Sequence, residues 1–408
     1  MKPYFTTFFL LFLFVFPFSA YAQDSIRFDE SGLESVMQRA KVEKKPIFYM
    51  AYADWCPHCK NIKATTLRDS EVISFMNTNY VFAGLNFEKP GSEDFKTKYN
   101  VKTFPTFLVL DENGQELARF TGELKKDKFL SEVKLALNPK QQLPYLKAEY
   151  EKDKTNGLNL MRYLVALKKG KDRNELNPIA HEYFEKLSDD KIVNEVNWKI
   201  FTNGVSDIAS REYQFVITNQ QAFAAITSQK RVNDKFKNSV MELLKPIVKT
   251  NDVANYKKQR AIAKTINSTM IDSLLFQYDL DHYEFNSNWN EYKKVAAADI
   301  KKYVWNSPKE IKSIVLNVMR NSTDAASLNQ SLSWIKHSNE LEESYDGIVL
   351  EARVHRKLNN IPIAITITKK AKAFSTQMGW DGKEADKLLA DLLERKKIAA
   401  KPAAKTKK

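Results

Sequence analysis

Only two cysteines occur in the 408 residues, and they stand two residues apart in MAYADWCPHCKNIK, Met50 to Lys63. Such a pair can clip a loop, hold half of a metal site, or exchange electrons with another disulfide. A bridge over two intervening residues closes almost no loop, so it adds little stability through chain entropy. A structural framework would instead spread several cysteines through a small domain. Zinc needs four ligands, and this C-x-x-C supplies two. The histidines outside it (His181, His282, His337 and His355) are dispersed along the chain. No metal and no cofactor are expected, and redox chemistry is the reading the pair favours.

That chemistry needs a thiolate, and the flanking pattern supplies a place for one. PIFYMAYA, Pro46 to Ala53, is a continuous apolar run of the kind a buried central strand shows. A helical pattern follows from Cys56 to Thr66. Cys56 then stands at a helix N-terminus, where free amides and the helix dipole favour an anion. Cys56 is the expected nucleophile toward a partner disulfide. Cys59, one turn later, is the expected resolving thiol. Pro57 suits a first helical turn, and Trp55 can cover the pair with an apolar face.

The elements that must position the pair are readable on both sides. Gly32–Lys45, Glu71–Asn79 and Ser92–Tyr99 are helical in pattern, and Tyr80–Glu88 reads as a second buried strand. PTFLVLDENGQELARF shows two strands around an Asn113-Gly114 turn. A helix over Lys125–Leu137 ends before Pro139. This order predicts an α/β domain, a mixed sheet flanked by helices on both faces, over residues 23–138.

From about Leu143 the strand signals stop, and only six of the 11 glycines lie beyond Tyr145. Residues 139–394 read as an all-helical domain of ten to fourteen helices at usual lengths. Pro178 and Pro308 are expected in first helical turns. Ala352, Ala364 and Ala371 have the small-residue spacing of a tetratricopeptide hairpin, although Thr368 stands where an aromatic is common. Residues 327–394 are therefore read as a degenerate, repeat-like pair, and an irregular bundle fits the middle equally well.

The ends carry their own signals. Lys2, the apolar run Phe8–Phe18 and the small-x-small AYA at Ala20–Ala22 read as a cleavable signal peptide over residues 1–22. Pro17 interrupts the run, and no later stretch is long and apolar enough to span a bilayer. Export, most simply to a bacterial periplasm, is expected, with secretion as the alternative. Residues 395–408 hold seven basic residues, about half of the formal net charge of +14, and read as a disordered tail. Nucleic acid is not an expected partner of an exported chain.

YADWCPHCK resembles the active-site segment of the thioredoxin family, and in particular that of the C-terminal domain of DsbD. The resemblance spans about residues 25–137, and VKTFPTFLVL adds a second matching element. It implies a cis peptide before Pro105, facing the cysteines, with Phe104, Pro105 and Thr106 shaping a groove for substrate backbone. The family usually carries a buried aspartate six positions before the first cysteine, where this chain has Met50. Lys63 is read as an exposed helix charge. The Pro57-His58 dipeptide matches DsbA rather than thioredoxin, which implies that His58 stabilises the Cys56 thiolate. A potential between about −270 mV (thioredoxin) and about −120 mV (DsbA) is the expectation.

The leading function is an exported thiol–disulfide oxidoreductase that reduces, oxidises or exchanges disulfides of envelope proteins. Its expected partners are protein thiols and disulfides, a redox partner, and a protein bound by the helical domain. The alternative is a redox-sensing scaffold in which the helical domain dominates.

Overall fold

The strand Ile47–Tyr52 (β1) is buried at every position, because it lies inside the sheet with helices over both faces. A computed structural model describes residues 26, 28–170 and 173–399. The segment read as a signal peptide, residues 1–22, lies outside the described residues. Helix α1 spans Leu33–Glu43, and α2 (Pro57–Ala64) follows β1. Next come α3 (Ser70–Asn79), β2 (Val81–Asn86) and α4 (Ser92–Tyr99). The hairpin strands are β3 (Thr106–Leu110) and β4 (Glu116–Thr121), and α5 covers Lys126–Ala136.

The sheet order is β2-β1-β3-β4, with β1 parallel to β2 and the other pairs antiparallel. The period of two divides β1 between two cores. Phe48, Met50 and Tyr52 pack with Cys56, Cys59, Ile62, Phe107 and Phe129 on one face. Ile47, Tyr49 and Ala51 pack with Val36, Ala40, Phe95 and Tyr99 on the other. Phe48, Phe107, Phe120 and Phe129 form an aromatic knot, with centroids 5.1 to 6.0 Å apart. Gly84 is needed on β2 because the preceding chain crosses it: a Cβ there would meet Phe28 Cβ at 2.9 Å. The crossing is held by Gly84 N–H donating to Asp29 O at 3.0 Å.

The described residues divide into two compact units, those up to 207 with 211–213, and 208–210 with those from 214 onward. The first unit extends past the sheet through α6 (Leu143–Lys152), α7 (Gly157–Leu167), α8 (Arg173–Glu185) and α9 (Glu195–Gly204). Helix α6 lies against β4, the edge strand. Pro178 sits sixth in α8 rather than in its first turn, so the helix forgoes one bond to the residue 174 carbonyl.

Helices α10 (Arg211–Thr218) and α11 (Gln220–Ile226) are separated by Asn219 alone. Then come α12 (Gln229–Leu244), α13 (Val253–Lys264), α14 (Thr269–Phe285) and α15 (Trp289–Tyr303). The series closes with α16 (Pro308–Asn321), α17 (Ala325–Leu341), α18 (Tyr345–Lys357), α19 (Ile361–Gln377) and α20 (Lys383–Ala399). That makes fifteen helices from Leu143 among the described residues, one above the expected range, and short breaks such as Asn219 supply the excess. Pro308 does open its helix. Ala352, Ala364 and Ala371 are fully buried in one cluster between α18, α19 and α20. Helix α20 continues to Ala399, five residues into the segment read as a disordered tail; residues 400–408 lie outside the described residues.

Candidate active site

β1 ends at Tyr52, and α2 begins at Pro57 with Cys56 as its N-cap, in extended backbone conformation (φ −76°, ψ 110°). The Cys59 N–H donates to Cys56 Sγ at 3.1 Å. The two cysteines form a disulfide with their Cα atoms 5.3 Å apart. Both are almost fully buried, at 2% and 1% exposure. Exposure therefore does not rank them, and the amide bond to Cys56 Sγ does. A negative charge on that sulfur meets a donor and the positive end of a helix.

The Phe104–Pro105 peptide is cis. The Pro105 carbonyl accepts from Gly122 N–H at 2.9 Å, which ties this segment to the end of β4. Among the described residues, the backbone N–H and C=O of Phe104 have no protein partner. Thr106 is buried and turns inward, its hydroxyl donating to Thr103 O at 2.7 Å. Trp55 is 67% exposed and meets Phe104 edge-on at 6.0 Å, and Phe104 packs on Phe87 at 5.1 Å. Exposed Trp55 and partly buried Phe104 thus form an aromatic ridge, beside Cys56 in the chain.

Met50 is fully buried and paired with Gly84 on β2 and Phe107 on β3. It places a thioether, and no carboxylate, in the core shared with the cysteines. Lys63 is not the exposed charge that the helical pattern suggests. Its Nζ lies 3.1 Å from the centre of the Tyr52 ring and 6.0 Å from that of Phe28. Burial lowers its proton affinity, against the attraction of Glu30 and Asp54. The Tyr52 hydroxyl donates to Glu30, whose other oxygen takes Lys89 Nζ at 2.6 Å. These bonds, that from Lys89 first, hold the Glu30 carboxyl below its ordinary range. Asp54 accepts from Asn86 Nδ2 at 2.7 Å, turned toward β2.

His58 points Nδ1 at Glu123 Oε2, 2.8 Å away, and Asn61 Nδ2 donates to the other Glu123 oxygen. The bond from His58, followed by that from Asn61, keeps the Glu123 carboxyl below its ordinary range. Glu123 carries no sequence signal of its own, since it is a single carboxylate 65 residues beyond His58. Among the described residues, no group of three or more His, Cys, Asp or Glu is arranged to hold a metal.

A buried CxxC disulfide at a helix start, on a four-stranded mixed sheet that also presents a cis proline, narrows the family sharply. Residues 33–137 match the model of the thioredoxin-like domain. This segment is a thioredoxin-like domain. It is 29% identical over 104 residues to the thiol:disulfide interchange protein DsbD of Campylobacter jejuni strain RM1221, covering 25% of this chain and 18% of that protein. DsbD of Yersinia pestis strain Pestoides F is 32% identical over 97 residues, covering 23% and 16%. Protein disulfide-isomerase of Ricinus communis is 24% identical over 88 residues, covering 22% and 18%. The chain thus spans less than a fifth of the length of these relatives. Among solved structures, the DsbH oxidoreductase is 24% identical, covering 28% of this chain and 87% of its own, with a TM-score of 0.26. The thioredoxin-like domain belongs to a family of thiol–disulfide oxidoreductases, and no described helix is long and apolar enough to cross a membrane.

Proposed function

We propose that this chain is an exported thiol–disulfide oxidoreductase acting on disulfides or thiols of envelope proteins. The observation that carries the reading is the Cys59 N–H bond to Cys56 Sγ at the start of α2. In the reducing direction the Cys56 thiolate attacks a substrate disulfide. A mixed disulfide forms, and one substrate sulfur leaves as thiolate. Cys59 loses its proton, attacks Cys56 Sγ and releases the second substrate thiolate. Two electrons have then passed to the substrate, and the Cys56–Cys59 bond has re-formed. Oxidation is the same sequence reversed.

The unpaired Phe104 backbone suits a substrate segment bound as a short added strand. Trp55 and Phe104 would contact its side chains. The expected potential is between those of thioredoxin and DsbA. Export rests on the sequence of residues 1–22, and a mature chain beginning at Gln23 by mass spectrometry tests it.

The deciding assays are insulin reduction and cysteine oxidation by the wild type and by Cys56→Ser across a range of glutathione buffers. Turnover by the wild type that Cys56→Ser abolishes supports the reading. No turnover in any buffer sinks it. Cys59→Ser should accumulate mixed disulfides with exported proteins, and their identities would name the substrates.

A second reading is kept because residues 143–399 are helical and hold no cysteine. In that reading the helices bind a protein partner and the redox pair reports or adjusts the complex.

A further inference from the structure

The fold brings a carboxylate from the end of β4 to the start of the helix that carries the redox pair. β4 ends at Thr121, and Gly122 turns the chain with a positive φ of 84° while its N–H holds the Pro105 carbonyl at 2.9 Å. A side chain with a Cβ rarely adopts that backbone, so glycine makes the turn. The turn delivers Glu123 to the first part of α2. There it bonds His58 Nδ1 at 2.8 Å with one oxygen and Asn61 Nδ2 with the other. His58 and Asn61 are three apart and so lie on one face of the helix. One carboxylate thus holds the imidazole in place in the disulfide state.

From this we infer that Glu123 is a positioning residue that restrains His58 and biases the pair toward the disulfide, against the oxidising lean of Pro57-His58. The inference rests on the oxidoreductase reading above. Reduction by glutathione breaks the Cys56–Cys59 bond and forms one glutathione disulfide, moving two electrons from two glutathione thiols. One of their protons ends on Cys59, and the other goes to solvent when Cys56 remains a thiolate. That new anion sits two residues before His58 at the same helix start. It competes with Glu123 for the imidazole N–H, and the two negative charges repel. Both effects weaken the dithiol form relative to the disulfide. An interaction stronger in one state than the other shifts the equilibrium by that difference.

The test is the glutathione redox equilibrium of the full mature chain, with thiolate absorbance of the reduced form at neutral pH. Glu123→Gln removes the charge while keeping an amide for Asn61, and Glu123→Ala removes both. Each should shift the equilibrium toward the dithiol by roughly two- to fivefold, as suits an exposed pair. That is about 10–20 mV at 29.6 mV per tenfold. Thiolate absorbance should rise with it. In a His58→Ala background the same changes should have less than about half that effect, because the competition for the imidazole is gone.

No shift in either variant, a shift toward the disulfide, or an equal shift without His58 overturns the role of Glu123 while leaving the oxidoreductase reading standing. A wild type that never equilibrates with glutathione overturns both.

Discussion

The Lys63 ammonium lies 3.1 Å from the centre of the Tyr52 ring, and Tyr52 in turn donates to Glu30. The strand that leads into the redox turn is therefore latched to the helix that leaves it. A half-buried cation over an aromatic face contributes about 1 kcal/mol. Lys63→Ala should lower the free energy of unfolding by about that much in urea at neutral pH. Lys63→Met keeps the apolar stem and should lose less. Two variants as stable as the wild type would show that the contact contributes nothing.

Met50 tests what a carboxylate would do beneath the pair. The position is fully buried between Gly84 and Phe107, neither of which carries a polar side chain. Met50→Asp should cost about 2–4 kcal/mol of stability. Desolvation should raise the new carboxyl above its unfolded value of about 3.9. The folded state then holds the proton longer than the unfolded state, so stability falls as pH rises through that window. If the carboxyl can serve Cys59, the pH profile of disulfide reduction gains an inflection in the same window. A profile parallel to the wild type's would show that it cannot.

The parts of the site that the sequence disclosed are those written in short local words. WCPHC after an apolar run places Cys56 at a helix start, and the TFPT segment marks Pro105. Glu123 is not legible in the sequence because its meeting with His58 depends on the β3–β4 hairpin and the turn at Gly122. Lys63 reads as an exposed charge in the sequence because helical periodicity reports a face and not the Tyr52 ring beneath it. Pro178 illustrates the same limit, since a proline suits a first turn in general but sits deeper in α8 here. In the helical part, amphipathic patterns show that helices form. They do not say where one residue such as Asn219 breaks a run in two.

His181 makes the stability of the first unit depend on pH. Its Nδ1 is 3.1 Å from Glu212 Oε2, and its Nε2 is 3.0 Å from Glu185 Oε1. The hydrogen bond with buried Glu212 raises its proton affinity above the ordinary 6.5, with burial opposing. A folded value above the unfolded one means the contribution is complete below about pH 6.5 and fades as pH rises through the folded value. The imidazole is half exposed, so solvent screens the effect to under about 1 kcal/mol. The stability gap between wild type and His181→Gln should be widest near pH 6 and narrow toward about pH 8.5. A gap that stays constant over that range would remove the linkage.

Trp55 separates recognition from electron exchange. An indole that is 67% exposed adds little to stability, and its edge contact with Phe104 leaves most of its surface toward solvent. Trp55→Ala should therefore change the unfolding free energy by less than about 1 kcal/mol. Tryptophan is among the residues that most often anchor a binding interface once covered by the partner, with losses of about 1–2 kcal/mol or more on truncation. The variant should then lose about five- to thirtyfold in kcat/KM toward a protein disulfide such as insulin. A small disulfide such as oxidised dithiothreitol cannot reach across the ridge to Phe104. Its exchange rate should fall far less. Equal losses with both substrates would mean that Trp55 acts on the sulfurs themselves, and that the ridge it forms with Phe104 is not where substrate backbone docks.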